Sequence, residues 1–484
     1  MARSETGVEH LLRRAGFGAS QDDLKAFEDT STSGVLQYLL DYERQPDDVD
    51  SKIGDPAYAS INAGGGFSPN LNIEHARQRW LFRMVHSRRP LQEKMALFWH
   101  NHFATAYTKI AAAAGGAQAT RMMASRSDEL PGPQGQIELF RSMALGSFRD
   151  LLIEVAKDPA MLFWLDGRLN TRQRPQENFG REVMELFTFG IGHYNEFDVY
   201  AASRVFTGWN LRLVNRGNDA NWYYEFIFNA NQHDTGEKTF SFPVYSNGNR
   251  TIPARASSDG MQDGIDFITA LATHPDTARR LARKMWDYFV SEVVEPDETT
   301  LRAAASAYLQ TGTRIESIVH FMLRSREFQN PGNWRTRFSW PVEYVVRAVK
   351  EVGWAGFSVD TLRGPLTTMG QTLFEPPDVN GWELGPGWFT TGGMLARMNF
   401  AAQLAGNQRL NLVRAVGGSA SSPESVLDFF LDRLSPAPFD QSARSELLTY
   451  LEAGGAWTGS DTQLRTKVAG LARLIVGAGE YQIV

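Results

Sequence analysis

The chain has 484 residues, 42% of them hydrophobic, enough apolar material to fold and bury a large core. Its 49 Lys and Arg against 55 Asp and Glu leave a net charge of −6, which offers no electrostatic footprint for nucleic acid. The absence of cysteine excludes disulfides, thiolate nucleophiles, Cys-ligated zinc and iron–sulfur clusters, so any metal must be held by His, Asp, Glu or amide oxygen.

In chain order, the opening MARSETGVEHLLRRAGFGAS carries Glu5 and Glu9 and only a short apolar pair before Arg13-Arg14, so it reads as neither a signal peptide nor a transit sequence. No run of apolar residues reaches membrane-spanning length, and the expectation is a cytoplasmic protein without membrane insertion. Apolar spacing predicts helices at 21–43, 74–87, 91–103, 135–157, 177–189, 196–206, 261–273, 275–290, 297–310, 314–328, 340–353, 358–372 and 391–404, with a C-terminal helical subdomain at about 405–484. Cap residues such as Ser20 and Asp297 precede acidic first turns. Flexible loops are predicted at about 54–72 and 111–136, the second for its AAAAGG and LPGPQGQ runs. Residues 222–253 alternate aromatic or β-branched with polar side chains and contain Asn247-Gly248, which predicts a small β-ribbon. The fold class is therefore mainly α: one large multi-helical unit over 1–484 with one β-ribbon insertion.

Chemistry-bearing residues concentrate in PQENFGREVMELFTFG at 175–190. At about 100° per residue, Asn178, Arg181, Glu182 and Glu185 fall on one stripe of a helix, while Phe179, Val183 and Leu186 lie on another face. A carboxylate pair can divide acid and base roles if burial or mutual repulsion raises one pKa. Glu182 is then the base or a metal ligand, Glu185 its partner, Arg181 the holder of an anionic group, and Asp166 a further catalytic carboxylate on the approach to the helix. The alternative is a solvated face with Arg181 paired to Glu177 or Glu185. In WHNHF, His100 and His102 share a face only if the chain is extended; in a helix they point roughly 200° apart. Ligation of a divalent metal by His100 and His102, joined by His233, thus requires the helix to break near Trp99, and the alternative is a pair of satisfied histidines at the core edge. Asn178, Trp209, Trp382 and Asp234 are the expected substrate-binding residues. Asp234 also suits an ordinary turn, and the PPDVNGW loop bearing Trp382 also suits a cap on the core.

The motifs HLLRRAGFGAS (10–20), FWHNHFAT (98–105), ENFGREVMELFTFG (177–190), FTGW (206–209), HDTGEKTF (233–240), PPDVNGW (376–382) and LARMNFA (395–401) together resemble a large bacterial family known as domain of unknown function 1800. The resemblance spans nearly the whole chain and implies one continuous helical unit, with no mechanism attached. Members of that family are often encoded beside a sulfatase-like or phosphatase-like protein that carries an export signal, which implies a partner protein and export alongside it. Phe187 stands where members often carry His, removing a ligand at that turn. Two functions remain: a hydrolase with a carboxylate and histidine cleft, with or without a divalent metal, or a non-catalytic helical scaffold that binds a partner protein.

Overall fold

The computed structural model describes residues 6–62, 65–215, 217, 219–353 and 357–484. Among them are 24 α-helices and two small antiparallel two-stranded sheets, so the fold is mainly α with a minor β element. The apolar stripes predicted from sequence meet in a core that runs from Leu11 to Tyr481. Helix starts follow local chemistry: Pro90, Pro159, Pro275, Pro341 and Pro423 each open a helix where their missing N–H is harmless. Asn195 and Asp198 form a reciprocal cap on Glu196–Val205.

Several expected elements differ. The 21–43 segment is two helices, Gln21–Ala26 and Thr32–Leu40, and 135–157 is Gln136–Ser142 followed by Phe148–Lys157. Residues 111–136 are not a loop throughout. The alanine run completes Tyr107–Ala114, and Gly116–Ala124 is a further helix whose Met122 and Met123 are buried. Alanine is the strongest helix former, and Gly115, at φ +86°, supplies only the break between the two. Of the 54–72 loop, residues 63–64 lie outside the described residues, and the rest carries no α-helix or strand. The larger β pair joins Trp209–Val214 to Tyr223–Phe228, so half of it lies upstream of the expected 222–253 ribbon. The Asn247-Gly248 turn belongs to a two-residue pairing of Lys238–Thr239 with Thr251–Ile252.

The core also contains charge. Glu93 accepts from Arg83 at 2.7 Å and from Arg141 at 3.0 Å. Glu343 holds Lys94 and, at 2.8 Å, Arg337. Arg14 of the LLRRAGFG segment donates to the Asn333 carbonyl at 2.9 Å. Buried ions persist only when paired and hydrogen-bonded, so these sets fix which helices meet.

Candidate functional site

The Glu177–Glu185 helix buries Phe179, Gly180, Val183 and Met184 against Glu196–Val205. A Cβ at Gly180 would lie 3.0 Å from that of Ala202, so the glycine permits this close approach. The opposite face carries Asn178, Glu182 and Glu185. Asp166 sits at a left-handed turn, φ +60°, and meets Asn178 at 3.4 Å and the Lys109 ammonium at 3.3 Å. Arg181 forms a bidentate pair with Glu196 at 2.7 and 2.8 Å, with Glu177 farther at 3.7 Å. Glu185 accepts from the Tyr194 hydroxyl, whose pKa is pushed up to about 12 by burial and by that carboxylate. Glu182 is half-buried and, among the described residues, has neither a hydrogen bond nor an ion pair from its carboxylate. Burial, reinforced by Glu185, raises its pKa.

At the end of this helix the free carbonyls find cationic or imidazole donors. Arg280 donates to the carbonyls of Leu186 at 2.7 Å and Thr188 at 3.0 Å, the arrangement that suits a helix C-terminus. The Phe187 carbonyl lies 3.1 Å from His102 Nε2, which must therefore carry the proton and donate. His102 Nδ1 is left as an acceptor, and the Lys284 ammonium lies 3.0 Å from it. Burial, followed by the charges of Lys284 and Arg280, holds His102 far below the usual imidazole range, so it is neutral. Lys284 is pushed down to about 7 by burial and by Arg280. Among the described residues no carboxylate comes within ion-pair distance of Lys284. Asp287, one turn on, is raised to about 6 by burial and is engaged by Arg283 at 3.1 Å.

The structure thus brings Asp166, Asn178, Arg181, Glu182 and Glu185 to one helix and places His102 at its end. The other expected site residues lie elsewhere. The Pro90–His102 helix does not break at Trp99, so His100 and His102 diverge as helical spacing dictates. His100 is buried against Trp80 and Trp382 and accepts from the Phe374 N–H at 3.1 Å. His233 is fully buried, with Nδ1 2.8 Å from the Thr207 carbonyl and Nε2 3.2 Å from Asp263. His100, His102 and His233 therefore do not form a ligand set, and the described residues contain no group of three or more His, Asp and Glu able to hold a metal ion. Asp234 receives both guanidinium nitrogens of Arg204 at 2.9 Å, and Lys238 joins the same network through Asp263 at 2.5 Å. Trp209 is buried over Gly264 and against Phe206 and Phe226. Trp382 is buried, and its N–H donates to Asn101 Oδ1 at 2.7 Å through the backbone, which locks the PPDVNGW loop onto the WHNHF helix end. Trp209 and Trp382 are thereby packed into the core, while Asp234, partly exposed, is held by Arg204.

Sequence reasoning missed Lys284, Arg280, Tyr194 and Lys109. Lys284 had a signal: Leu281, Met285 and Tyr288 form the core stripe of its helix, and a lysine three residues after Leu281 and four before Tyr288 is drawn inward with them.

Residues 10–483 match the family described as Protein of unknown function (DUF1800), and the chain belongs to that family. No curated protein and no solved structure matches it.

Proposed function

We propose that this member of the DUF1800 family is an acid–base hydrolase whose site follows the polar face and C-terminal end of the Glu177–Glu185 helix. One observation carries the reading: Lys284, held near pKa 7 and bonded to a neutral histidine with no carboxylate in ion-pair distance among the described residues, stands at the end of a helix that also bears Glu182, whose carboxylate makes no hydrogen bond or ion pair there. A protein built only for stability gains little from a buried amine and a half-buried carboxylate that lack a direct ion pair, their opposite charges Asp287 and Arg181 acting only from a distance, and such perturbed groups gather where protons are moved.

In this reading Lys284, unprotonated above about pH 7, takes the proton of a water or substrate hydroxyl. His102, its tautomer fixed by the Phe187 carbonyl, orients the amine and accepts its hydrogen bond. Glu182, with its raised pKa, donates to the leaving group, and Glu185 with Tyr194 keeps a second carboxylate beside it. Arg280 and Asn178 bind anionic or polar parts of the substrate. The test is a panel of chromogenic carboxylic, phosphate and sulfate esters and glycosides at neutral pH, using wild type, Lys284→Met and Glu182→Gln. Turnover of one class that falls about 10²-fold or more in both variants supports the reading. Absent turnover in wild type, or turnover untouched in both variants, overturns it.

A second reading, a helical scaffold for a partner protein, is favoured by Phe197, 85% exposed on the helix beside the site, with Tyr200 exposed one turn later. Phe197→Ser would weaken partner capture under that reading and leave ester turnover unchanged under the first.

A further inference from the structure

The helices Thr391–Asn407, Arg409–Val416 and Asp461–Gly477 carry six basic residues and one acid; Arg397 is buried on Ser339 and Gln482 and Lys467 holds the Tyr450 and Ala453 carbonyls, which leaves Arg409, Arg414, Arg465 and Arg473 exposed in a chain whose net charge is −6. The whole-chain balance hides this local reversal of sign. Thr391–Asn407 and Asp461–Gly477 pack side by side and enclose an open groove of about 440 Å³. Ala402, Gly406 and Ala469 line it with small side chains, and Arg409, Arg465 and Arg473 stand around it. Among the described residues Arg409 and Arg473 have no ion pair, and the nearest carboxylate to Arg465 is Asp461 at 3.9 Å. Arg465 and Arg473 are eight residues apart on one helix, so their Cα atoms lie about 12 Å apart along its axis.

The same three helices expose apolar side chains. Leu395 is 59% exposed, Met398 49%, Leu410 55% and Leu474 42%. These are four of the twelve large hydrophobic residues exposed among the described residues, gathered on three adjoining helices. Leu395 and Met398 fall on the same stripe of their helix as Ala402 and Gly406, at spacings of three, seven and eleven residues, so the apolar surface continues the groove. Exposed arginines, two of them without an ion pair among the described residues and the third only loosely paired with Asp461, beside exposed leucine and methionine match an interface whose charge is negative and whose interior is apolar.

We infer that the face formed by these three helices docks on an anionic lipid bilayer, with Arg409, Arg465 and Arg473 on the headgroups and Leu395, Met398 and Leu410 in the headgroup–acyl boundary. The contact is peripheral; among the described residues no helix is long and apolar enough to cross a membrane.

Co-sedimentation of the full chain with vesicles of phosphatidylcholine, with and without phosphatidylglycerol, tests it. The protein should partition onto the anionic vesicles, release with rising salt, and stay in solution with phosphatidylcholine alone. Each arginine at such a surface is worth about fivefold, so Arg465→Gln with Arg473→Gln should lower partition about 25-fold. Leu395→Ser with Met398→Ser should lower it at unchanged charge. All four side chains are exposed, and circular dichroism of each variant reports the fold. Equal partition on both vesicle types, no partition, or partition unchanged in the arginine variant overturns the inference. So does binding of soluble glycerol phosphate as tight as that of vesicles, which would make the groove a small-anion site. Preference for a short DNA duplex or an acidic helical peptide over the vesicles overturns it as well.

Discussion

Replacing Lys284 with Met keeps an unbranched stem in place and removes the amine. In the native protein that amine is held from its ordinary 10.5 down to about 7 by burial and by Arg280. At about 1.4 kcal/mol per tenfold, keeping it protonated at pH 6 costs the fold roughly 4–5 kcal/mol. The substitution removes that cost and strands His102 Nδ1 without its donor, a loss of about 1–2 kcal/mol. The sign follows from proton binding. Between pH 7 and 10.5 the unfolded chain holds this proton and the folded chain does not, so wild-type stability gains over that range as pH rises. Lys284→Met should therefore be more stable than wild type by about 2–4 kcal/mol at pH 6, with the gap closing as the pH rises and reversing slightly near 10. Urea unfolding of both proteins at matched pH values measures this, since other titrating groups cancel in the difference. A gap independent of pH, or a variant less stable than wild type at pH 6, would refute the assignment of an uncompensated amine.

Glu182→Gln should leave stability unchanged or raise it by up to roughly 1 kcal/mol, because Arg181 keeps Glu196 as its counter-charge. Thermal unfolding showing a loss of about 3 kcal/mol instead would place Glu182 in a structural ion network. Glu343→Gln leaves the buried Lys94 and Arg337 short of a carboxylate and should cost about 3–5 kcal/mol by urea unfolding. The wild-type carboxyl is held down at about 2 against burial by Arg337 and Lys94, so its contribution is present above 4.5 and lost as pH falls toward 2; acid unfolding of the variant should lack that component. Asp158 is raised to about 7 by burial, although it accepts from the Met161 N–H at 3.0 Å and from Gln136 at 2.7 Å. Its folded form holds the proton more tightly, so stability falls as pH rises from about 4 to 7. Asp158→Asn should match wild type near pH 4 and exceed it by about 2–4 kcal/mol at pH 8, again by urea unfolding.

The polar stripe of the Glu177–Glu185 helix was legible in the sequence because a three-to-four-residue period reports on the face of a helix wherever the helix packs. The partners of that stripe were not, since Lys109, Tyr194, Arg280 and Lys284 come from other elements and no local pattern specifies which helices meet. The histidines show the same limit. Whether His100 and His102 share a face depended on where one helix stops, and boundaries depend on tertiary packing that local propensity does not encode. In the structure the PPDVNGW loop seats on that helix end through the Trp382 N–H on Asn101 and the Trp382 ring against His100, and helical backbone continues to His102. The HDTGEK segment suggested a substrate or metal site because it concentrates His, Asp and Lys. Its charges instead compensate one another through Arg204, Arg255 and Asp263. The Trp209–Val214 strand carried a signal that went unused, since Trp209-Asn210-Leu211-Arg212-Leu213 alternates apolar with polar; its partner, Tyr223–Phe228, is set by pairing across the intervening loop.

The reactivity of Lys284 tests the central claim most directly. Competitive acetylation of the native protein with trace acetic anhydride, resolved by peptide mass spectrometry across pH 5 to 9, gives the titration of each amine. The account predicts that Lys284 labels with a midpoint near 7, ahead of every exposed lysine, and that ester turnover is lost in step with that single modification. A Lys284 that labels with the ordinary lysines, or whose acetylation leaves turnover intact, would contradict it.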